Sequence, residues 1–475
     1  MILLRGLRPG IFAKLSSQTI FPMSHSPSRR SFIRNSSTLL ALSSLNLSAW
    51  KEWASAPPRR VALIGSGWYG KSDLLRLAQV APIEVVGLCD VDRNMLTAAE
   101  ELIRNRVQPN KKIPMFGDYR KLIAETKPEI TLIGTPDHWH ALTAVESLKA
   151  GSHVYLQKPI SVDVLEGEAI LRAARASGKV VQVGLQRRST PHLVEAKSKI
   201  IDEGLLGKIH HVDICCYYHM RNGSNPPLQP VPEFLDYDMW TGPAPMRPYD
   251  GLPHRGWWRA FMEYGNGITG DMCVHMFDTV RWMLDLGWPK KISATGGIYG
   301  SNPGKSNIAD TQTAVFEYEG LNCVWQMRSW GTAPDPEYPW AFKIYGEKGT
   351  LAGSVQKCDF IPVDRNAQFK FHRDAVVEGE KYPEDLKEKD IELHAASATR
   401  AHMLNFLQAI ENKTKPISDI EQGHISTASS IMANLSMNLG RSLQYDHVTK
   451  IITGDREATA MLKRNYRAGW THPWG

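Results

Sequence analysis

From Val61 onward, short apolar runs alternate with stretches whose apolar positions recur every three or four residues. Val61-Ala62-Leu63-Ile64 has the length of a strand buried on both faces. It passes through Gly65-Ser66-Gly67-Trp68-Tyr69-Gly70 into a helical pattern carrying Leu74, Leu75 and Leu77. A second run, Ile83 to Cys89, closes on Asp90. The same alternation predicts a helix over Asp118 to Glu125, with Tyr119, Leu122 and Ile123 on one face, then a strand from Ile130 to Gly134. A helix from about Ala141 to near Gly151, a strand His153 to Leu156, a helix Val164 to Ala176 and a strand Val180 to Leu185 follow. Strands alternating with helices predict a parallel, doubly wound sheet, an α/β Rossmann domain over residues 57–186.

The rhythm then changes. Lys208 to Tyr218, Thr311 to Tyr318, Cys323 to Met327 and Ala341 to Tyr345 are rich in β-branched and aromatic residues, and turns such as Gly346-Glu347-Lys348-Gly349 separate them. They predict a large sheet in a second, α+β domain over residues 187–445. Between them, Pro226, Pro227, Pro230, Pro232 and Trp240-Thr241-Gly242-Pro243-Ala244-Pro245 exclude regular structure up to His254-Arg255-Gly256-Trp257-Trp258-Arg259. Met403, Phe406, Leu407 and Ile410 mark one late helix, and a second runs roughly from Ile425 to Leu443. The tail, residues 446–475, needs docking to be ordered.

Charge separates the start of the chain from the rest. Residues 1–56 carry seven basic side chains and one acid, leaving about +1 of the net +7 to everything beyond. That balance points away from nucleic-acid binding. Ser28-Arg29-Arg30-Ser31-Phe32-Ile33-Arg34, the modestly apolar Thr38 to Ala49 and the small-residue site Ala54-Ser55-Ala56 resemble a twin-arginine export signal. The expectation is an exported, periplasmic protein handled by the twin-arginine machinery. Pro57 after the cleavage site leaves an uncleaved anchor open, and no span is expected in the mature chain. Six scattered cysteines without a C-x-x-C pair read as buried thiols.

The chemistry starts at the glycine turn. Gly65 permits the turn, Gly67 lets backbone approach a pyrophosphate, Gly70 lets helix and strand close together, and Asp90 suits a ribose diol. A carboxylate there repels a 2′-phosphate, so NAD is favoured over NADP, although Arg93 stands close by in sequence. The loop Thr135-Pro136-Asp137-His138-Trp139-His140 follows a strand end, where such sheets bind ligands. Its two histidines lack a neighbouring carboxylate–cysteine set and are read as wall and cap, with no metal expected. Lys158, in Gln157-Lys158-Pro159, is placed to stabilise an alkoxide. On one helix, Asp271, His275 and Asp278 fall at i, i+4 and i+7, which would bring carboxylate and imidazole together. Tryptophans beside arginines around residue 257 suit a sugar, whose C–H faces pack on indoles while guanidinium groups bond hydroxyls.

These motifs, the glycine turn, Thr135-Pro136 with His140, Gln157-Lys158-Pro159 and Asp271-Met272-Cys273-Val274-His275, resemble those of the glucose-fructose oxidoreductase, inositol dehydrogenase and MocA family. The resemblance covers nearly everything after the leader. It implies a mostly antiparallel, open second sheet through which subunits pack as a homo-oligomer, and a carbohydrate substrate. It also implies Lys158, Asp271 and His275 as catalytic residues, His275 being the base, with Asp278 supporting their helix. Cofactor contacts would come from Gly65, Ser66, Gly67, Trp68, Tyr69, Gly70, Asp90, Thr135, Pro136, His140, Gln157 and Lys158. Arg187, Tyr218, Arg255, Trp258 and His275 are candidates for the substrate cleft. One departure stands out: the family's usual Glu-Lys-Pro is here Gln157-Lys158-Pro159.

Export and NAD together imply a cofactor that stays bound and is recycled, since free NAD is scarce outside the cytoplasm. Recycling could use a second sugar carbonyl. It could instead be internal to a redox-neutral glycoside cleavage through transient oxidation. A member that binds sugar or NAD without turnover is the remaining reading.

Overall fold

The structure, a computed structural model, describes residues 57–217, 224–300, 304–387 and 392–475, without the side chain of Arg255. The leader with its paired arginines, and Tyr218, lie outside the described residues. The first sheet is built from β1 (Arg59–Ile64), β2 (Ile83–Cys89), β3 (Met115–Phe116), β4 (Ile130–Ile133), β5 (His153–Leu156) and β6 (Val181–Val183). Its order is β3-β2-β1-β4-β5-β6 and every pairing is parallel. The chain reverses its winding between β1 and β4, and the crevice beyond their carboxyl ends is where a doubly wound sheet takes its ligand.

The crossover helices are α1 (Trp68–Ala78), α2 (Arg93–Val107), α3 (Tyr119–Thr126), α4 (His140–Lys149) and α5 (Val164–Ser177). Side chains of Asp92, Asp118 and Asp163 accept backbone N–H groups at the starts of α2, α3 and α5. Such caps satisfy donors that a helix start leaves without partners. The strands are buried on both faces, as a parallel sheet requires: Val61, Leu63, Val85, Leu132 and Tyr155 are at most 1% exposed.

The second sheet takes β7 (Ile209–Cys216), β8 (Lys291–Gly297), β9 (Thr311–Tyr318), β10 (Leu321–Arg328), β11 (Trp340–Gly346), β12 (Gly349–Ser354), β13 (Lys357–Pro362) and β14 (Phe371–Asp374) in the order β14-β13-β12-β11-β7-β10-β9-β8. It is antiparallel except where β7 meets β10. Alternation decides its faces. Ile214, Phe316, Trp325 and Phe342 point to the core, where Phe277 stacks on Phe316 at 4.2 Å, while Val315, Val324 and Tyr345 stand half-exposed on the other face. Phe277 belongs to α6 (Val274–Leu284), which follows one π-helical turn at Thr269–Cys273.

Two late segments return to the first sheet. α7 (Ala396–Asn412) lays Met403, Phe406 and Leu407 into the core formed by Leu63, Leu74 and Val85, and α8 (Ile420–Leu439) brings Gly423 against Val183 of β6. The tail is docked as well. Arg464 donates to the carbonyls of Met262 and Gly265 (2.6 and 3.0 Å), and His472 Nε2 meets Asp163 at 3.0 Å. Trp470 packs edge-on against Trp139 at 5.0 Å. With Glu166, Asp163 and His472 form a close trio of metal-capable donors. Each carboxylate already accepts a protein hydrogen bond, from Tyr466 and Val162 at Glu166 and from the Arg464 N–H at Asp163.

None of the six cysteines forms a disulfide; five are buried and Cys215 is partly so. Among the described residues no helix is long and apolar enough to cross a membrane. Arg464→Met would leave the Met262 and Gly265 carbonyls without a donor, at a cost of about 2 kcal/mol. A lowered urea midpoint with unchanged near-ultraviolet dichroism before the transition is the expected result.

Candidate active site

The glycine turn joins β1 to α1 with almost no spare room. Gly65 has φ +88°, and a Cβ there would lie 2.5 Å from the Thr135 amide nitrogen. A Cβ on Gly70 would lie 2.0 Å from the Gly65 carbonyl oxygen, whereas at Gly67 it would meet nothing within 4 Å. The turn is therefore closed toward the protein and open at Gly67. No side chain caps α1 and its first turn has no acid, so its N-terminal amides are left for an anion. Asp90, at the end of β2, accepts the Ser66 and Asp92 N–H groups at 2.7 and 3.0 Å, which fixes its carboxyl beside the turn. Thr135 Oγ1 is buried at the end of β4 with no hydrogen-bond partner among the described residues. Open backbone, a diol-binding carboxylate and an orphaned hydroxyl fit a dinucleotide.

Other expected cofactor residues turn inward. Tyr69 is half-buried and its hydroxyl accepts from Gln186 at 2.8 Å, while Trp68 is exposed. The His140 ring lies between the carbonyls of Pro159 (2.7 Å) and Thr135 (3.0 Å). Burial pushes its pKa down to about 4, so at neutral pH the ring is uncharged and its single N–H can donate to only one of the two carbonyls.

Gln157 also points into the protein. Its Nε2 donates to Asp73 Oδ2 at 2.6 Å, and its Oε1 accepts the Lys158 N–H at 3.3 Å. Asp73, on α1, is 2% exposed, and burial pushes its carboxyl up to about 7 although the Gln157 bond pulls it down. A glutamate at 157 would face this carboxyl as a second acid. The amide is the side chain that can donate to it.

Lys158 follows β5 by two residues and reaches across to the second domain. Its ammonium donates to Asp271 Oδ1 at 2.5 Å and to the Asp271 carbonyl at 3.0 Å, with both side chains 8% exposed. Arg259 Nε lies 3.3 Å from the other Asp271 oxygen. Burial pushes Asp271 up, but Lys158 and Arg259 outweigh it and hold the carboxylate below its ordinary range. Burial pulls Lys158 down against the opposing pull of Asp271.

His275 sits one turn on, in the start of α6. Its ring is edge-on to Trp340 at 5.5 Å, and the Arg187 guanidinium lies 5.4 Å from the Trp340 ring centre. Its Nδ1 is buried without a hydrogen-bond partner among the described residues. Burial, then Lys158, Arg187 and Arg259, push the imidazole well below its ordinary range, so at neutral pH it is a neutral base.

The expected Asp271–His275–Asp278 row does not act as one group. The π-helical turn carrying Asp271 breaks the α-helical register ahead of α6. Asp271 turns to Lys158, and Asp278 is gripped by Arg188 through Nε and Nη2 at 2.7 Å each. Trp258, expected at the substrate cleft, is 9% exposed and carries the Arg259 guanidinium 4.1 Å above its ring. Arg187 is buried at the cleft, whereas the Tyr218 residue and the Arg255 side chain lie outside the description. Sequence reasoning missed Arg259, Asp137, Trp340 and Asp73. Arg259 follows a tryptophan already singled out, and Asp137 was overshadowed by the histidines beside it.

Two family models match the chain. One, described as an oxidoreductase family with an NAD-binding Rossmann fold, matches residues 59–185. The other, the C-terminal alpha/beta domain of that oxidoreductase family, matches residues 192–295 and 378–472. Together they take in well over half of the chain. The uncharacterized oxidoreductase YrbE of Bacillus subtilis (strain 168) is 22% identical over 401 residues, 82% of this chain and 97% of that protein. Inositol 2-dehydrogenase of Salmonella paratyphi B is 31% identical over 151 residues, 31% of this chain and 43% of that protein. A solved levoglucosan dehydrogenase, in complex with NADH and levoglucosan, shares the fold with a TM-score of 0.59 at 18% identity, covering 82% of this chain and 99% of that one.

Two outcomes follow from this geometry. Gln157→Glu should destabilise the protein increasingly as pH rises through about 7, because deprotonation leaves two buried carboxylates face to face, and adding Asp73→Asn should restore it. Thermal melts of both variants across pH read this. Activity should hold from about pH 8 to about pH 6, because the base stays unprotonated. Arg259→Met removes a cation, eases protonation of His275 and should move the acid limb upward, as a pH profile of kcat/KM would show.

Proposed function

The chain belongs to the Gfo/Idh/MocA family of oxidoreductases, whose NAD-binding Rossmann domain it carries, and on that premise we propose that it moves hydride between a secondary alcohol carbon of a sugar and a tightly bound NAD. The observation that carries this reading is the meeting of Lys158, Asp271 and His275 at the carboxyl end of the first sheet, next to the glycine turn. NAD, when bound, supplies the hydride acceptor. Gly65 to Gly70 and Thr135 would hold it, and Asp90 favours an unphosphorylated ribose.

The side chains divide the remaining work. Neutral His275 takes the hydroxyl proton, since burial and three neighbouring cations make it a base that remains free at neutral pH. Lys158 donates a hydrogen bond to the oxygen on which charge develops, and its ammonium is aimed by Asp271. Asp271 in turn is held by Arg259. Similarity to an inositol dehydrogenase and a levoglucosan dehydrogenase supports a ring polyol or sugar as the substrate class.

The twin-arginine-like leader supports export with the cofactor captured before translocation, and hence internal recycling of the bound NAD. A homo-oligomer packed through the half-exposed outer face of the eight-stranded sheet belongs to the same reading.

Protein purified without added nucleotide and then denatured should release NAD in near-equal amount to chain. His275→Ala should keep that NAD but lose about 10²- to 10⁴-fold in kcat. Empty protein would overturn the captive cofactor, and unchanged turnover would remove His275 from its role.

A further inference from the structure

Asp137 begins the short turn Asp137–Trp139 that leads from Pro136 into α4, and it is 4% exposed. Among the described residues nothing donates a hydrogen bond to its carboxyl, although its charged neighbours, Arg259, Asp271, Lys158 and Arg464, lie within electrostatic reach. Gly265 leaves it room: a Cβ there would stand 3.3 Å from Asp137 Oδ2 and 3.6 Å from the Trp258 ring. A buried carboxyl without a donor is costly, and the other acid of the cleft, Asp271, is fully engaged by Lys158 and Arg259. Asp137 thus has capacity that the protein leaves unused.

Its position in the cleft is asymmetric. The charged groups acting on His275 are Lys158, Arg187 and Arg259, whereas those acting on Asp137 are Arg259, Asp271, Lys158 and Arg464. Lys158 and Arg259 are common to both, and Trp258 connects them in space: its ring edge lies 3.6 Å from the Gly265 Cβ position that is 3.3 Å from Asp137 Oδ2, and Arg259 stands 4.1 Å above the ring centre. A hydroxyl can donate one hydrogen bond while accepting another, so one sugar oxygen can donate to Asp137 and accept from the half-exposed Arg259.

We propose that Asp137, with Arg259, forms a second substrate-binding point that holds the hydroxyl on the carbon next to the one being oxidised. This rests on the hydride-transfer reading above and extends it: the cleft selects substrates with two neighbouring ring hydroxyls, one for His275 and Lys158 and one for Asp137. A monohydroxy ring lacks the second contact. Asp137 acts here by touching substrate, and Gly265, having no Cβ, by not crowding its Oδ2.

The test uses the full-length protein with its bound cofactor and D-glucose, D-galactose and myo-inositol as probes. Binding is read by tryptophan fluorescence and turnover separately by nicotinamide absorbance. The best-bound sugar is then compared with its singly deoxygenated analogues. Asp137→Ala should weaken binding about tenfold while NAD content stays unchanged, and Asp137→Asn should recover part of that loss. One deoxy analogue should bind wild type and D137A alike, so that variant and analogue cost affinity once rather than twice. Equal sugar affinity in wild type and D137A overturns the proposal even if turnover is normal. Binding that weakens in D137A without any nicotinamide reduction upholds the subsite while overturning the hydride-transfer reading. Failure of all three probes to bind overturns both.

Discussion

The contact between Lys158 and Asp271 is the constraint on which the cleft depends. One partner follows β5 of the Rossmann sheet by two residues and the other sits in the π-helical turn before α6, so the pair ties the first domain to the second through two buried charges. Removing either charge from water is expensive, and the cost is offset only when geometry and further hydrogen bonds are good. Here the ammonium takes both a carboxylate oxygen and the carbonyl of the same residue, and Arg259 takes the second carboxylate oxygen. Burial first, and then that concentration of positive charge, keep His275 unprotonated. In the reaction proposed above, the pair therefore aims one group and tunes another.

Behind the lysine, the Asp73–Gln157 hydrogen bond performs a corresponding task within the first domain. It links α1, which starts at the glycine turn, to the residue preceding Lys158. The departure from the family's usual glutamate is thereby explained by its neighbour. With an aspartate already buried on α1, an amide is the complementary partner and a carboxylate is not. The change alters how the loop is supported and leaves the lysine in place.

Support also arrives from far along the chain. α7, which follows the second sheet in sequence, completes the apolar core on one face of the first sheet, and the tail closes on Asp163 at the start of α5. Arg464 bonds the segment around Gly265, which lies directly against Asp137. The backbone beside Asp137 is thus held by the segment around Arg464.

Much of this was legible in the order of residues. Alternating buried runs and helical periods specify a parallel sheet because a strand buried on both faces must be apolar throughout. The spacing from Gly65 to Asp90 identifies the dinucleotide crevice because turn, helix start and second strand are adjacent in sequence and in space. Lys158, Asp271 and His275 could be picked out by motif. What they touch could not. A single π-helical turn separated Asp271 from the row it shares with His275 and Asp278 in an ideal helix, and sent its carboxylate to Lys158. Arg259 and Asp137 are brought near each other by Trp258, which packs beneath the one, and Gly265, which lies beside the other. Local periodicity, turn chemistry and motif spacing are properties of neighbours in the chain, so the sequence by itself determined the Rossmann alternation, the glycine turn and the identity of the reactive groups. Pairing partners, charge environments and the closing of α7 and the tail over the first domain depend on residues more than a hundred positions apart. Only the tertiary structure decided those, because burial and electrostatics act through space.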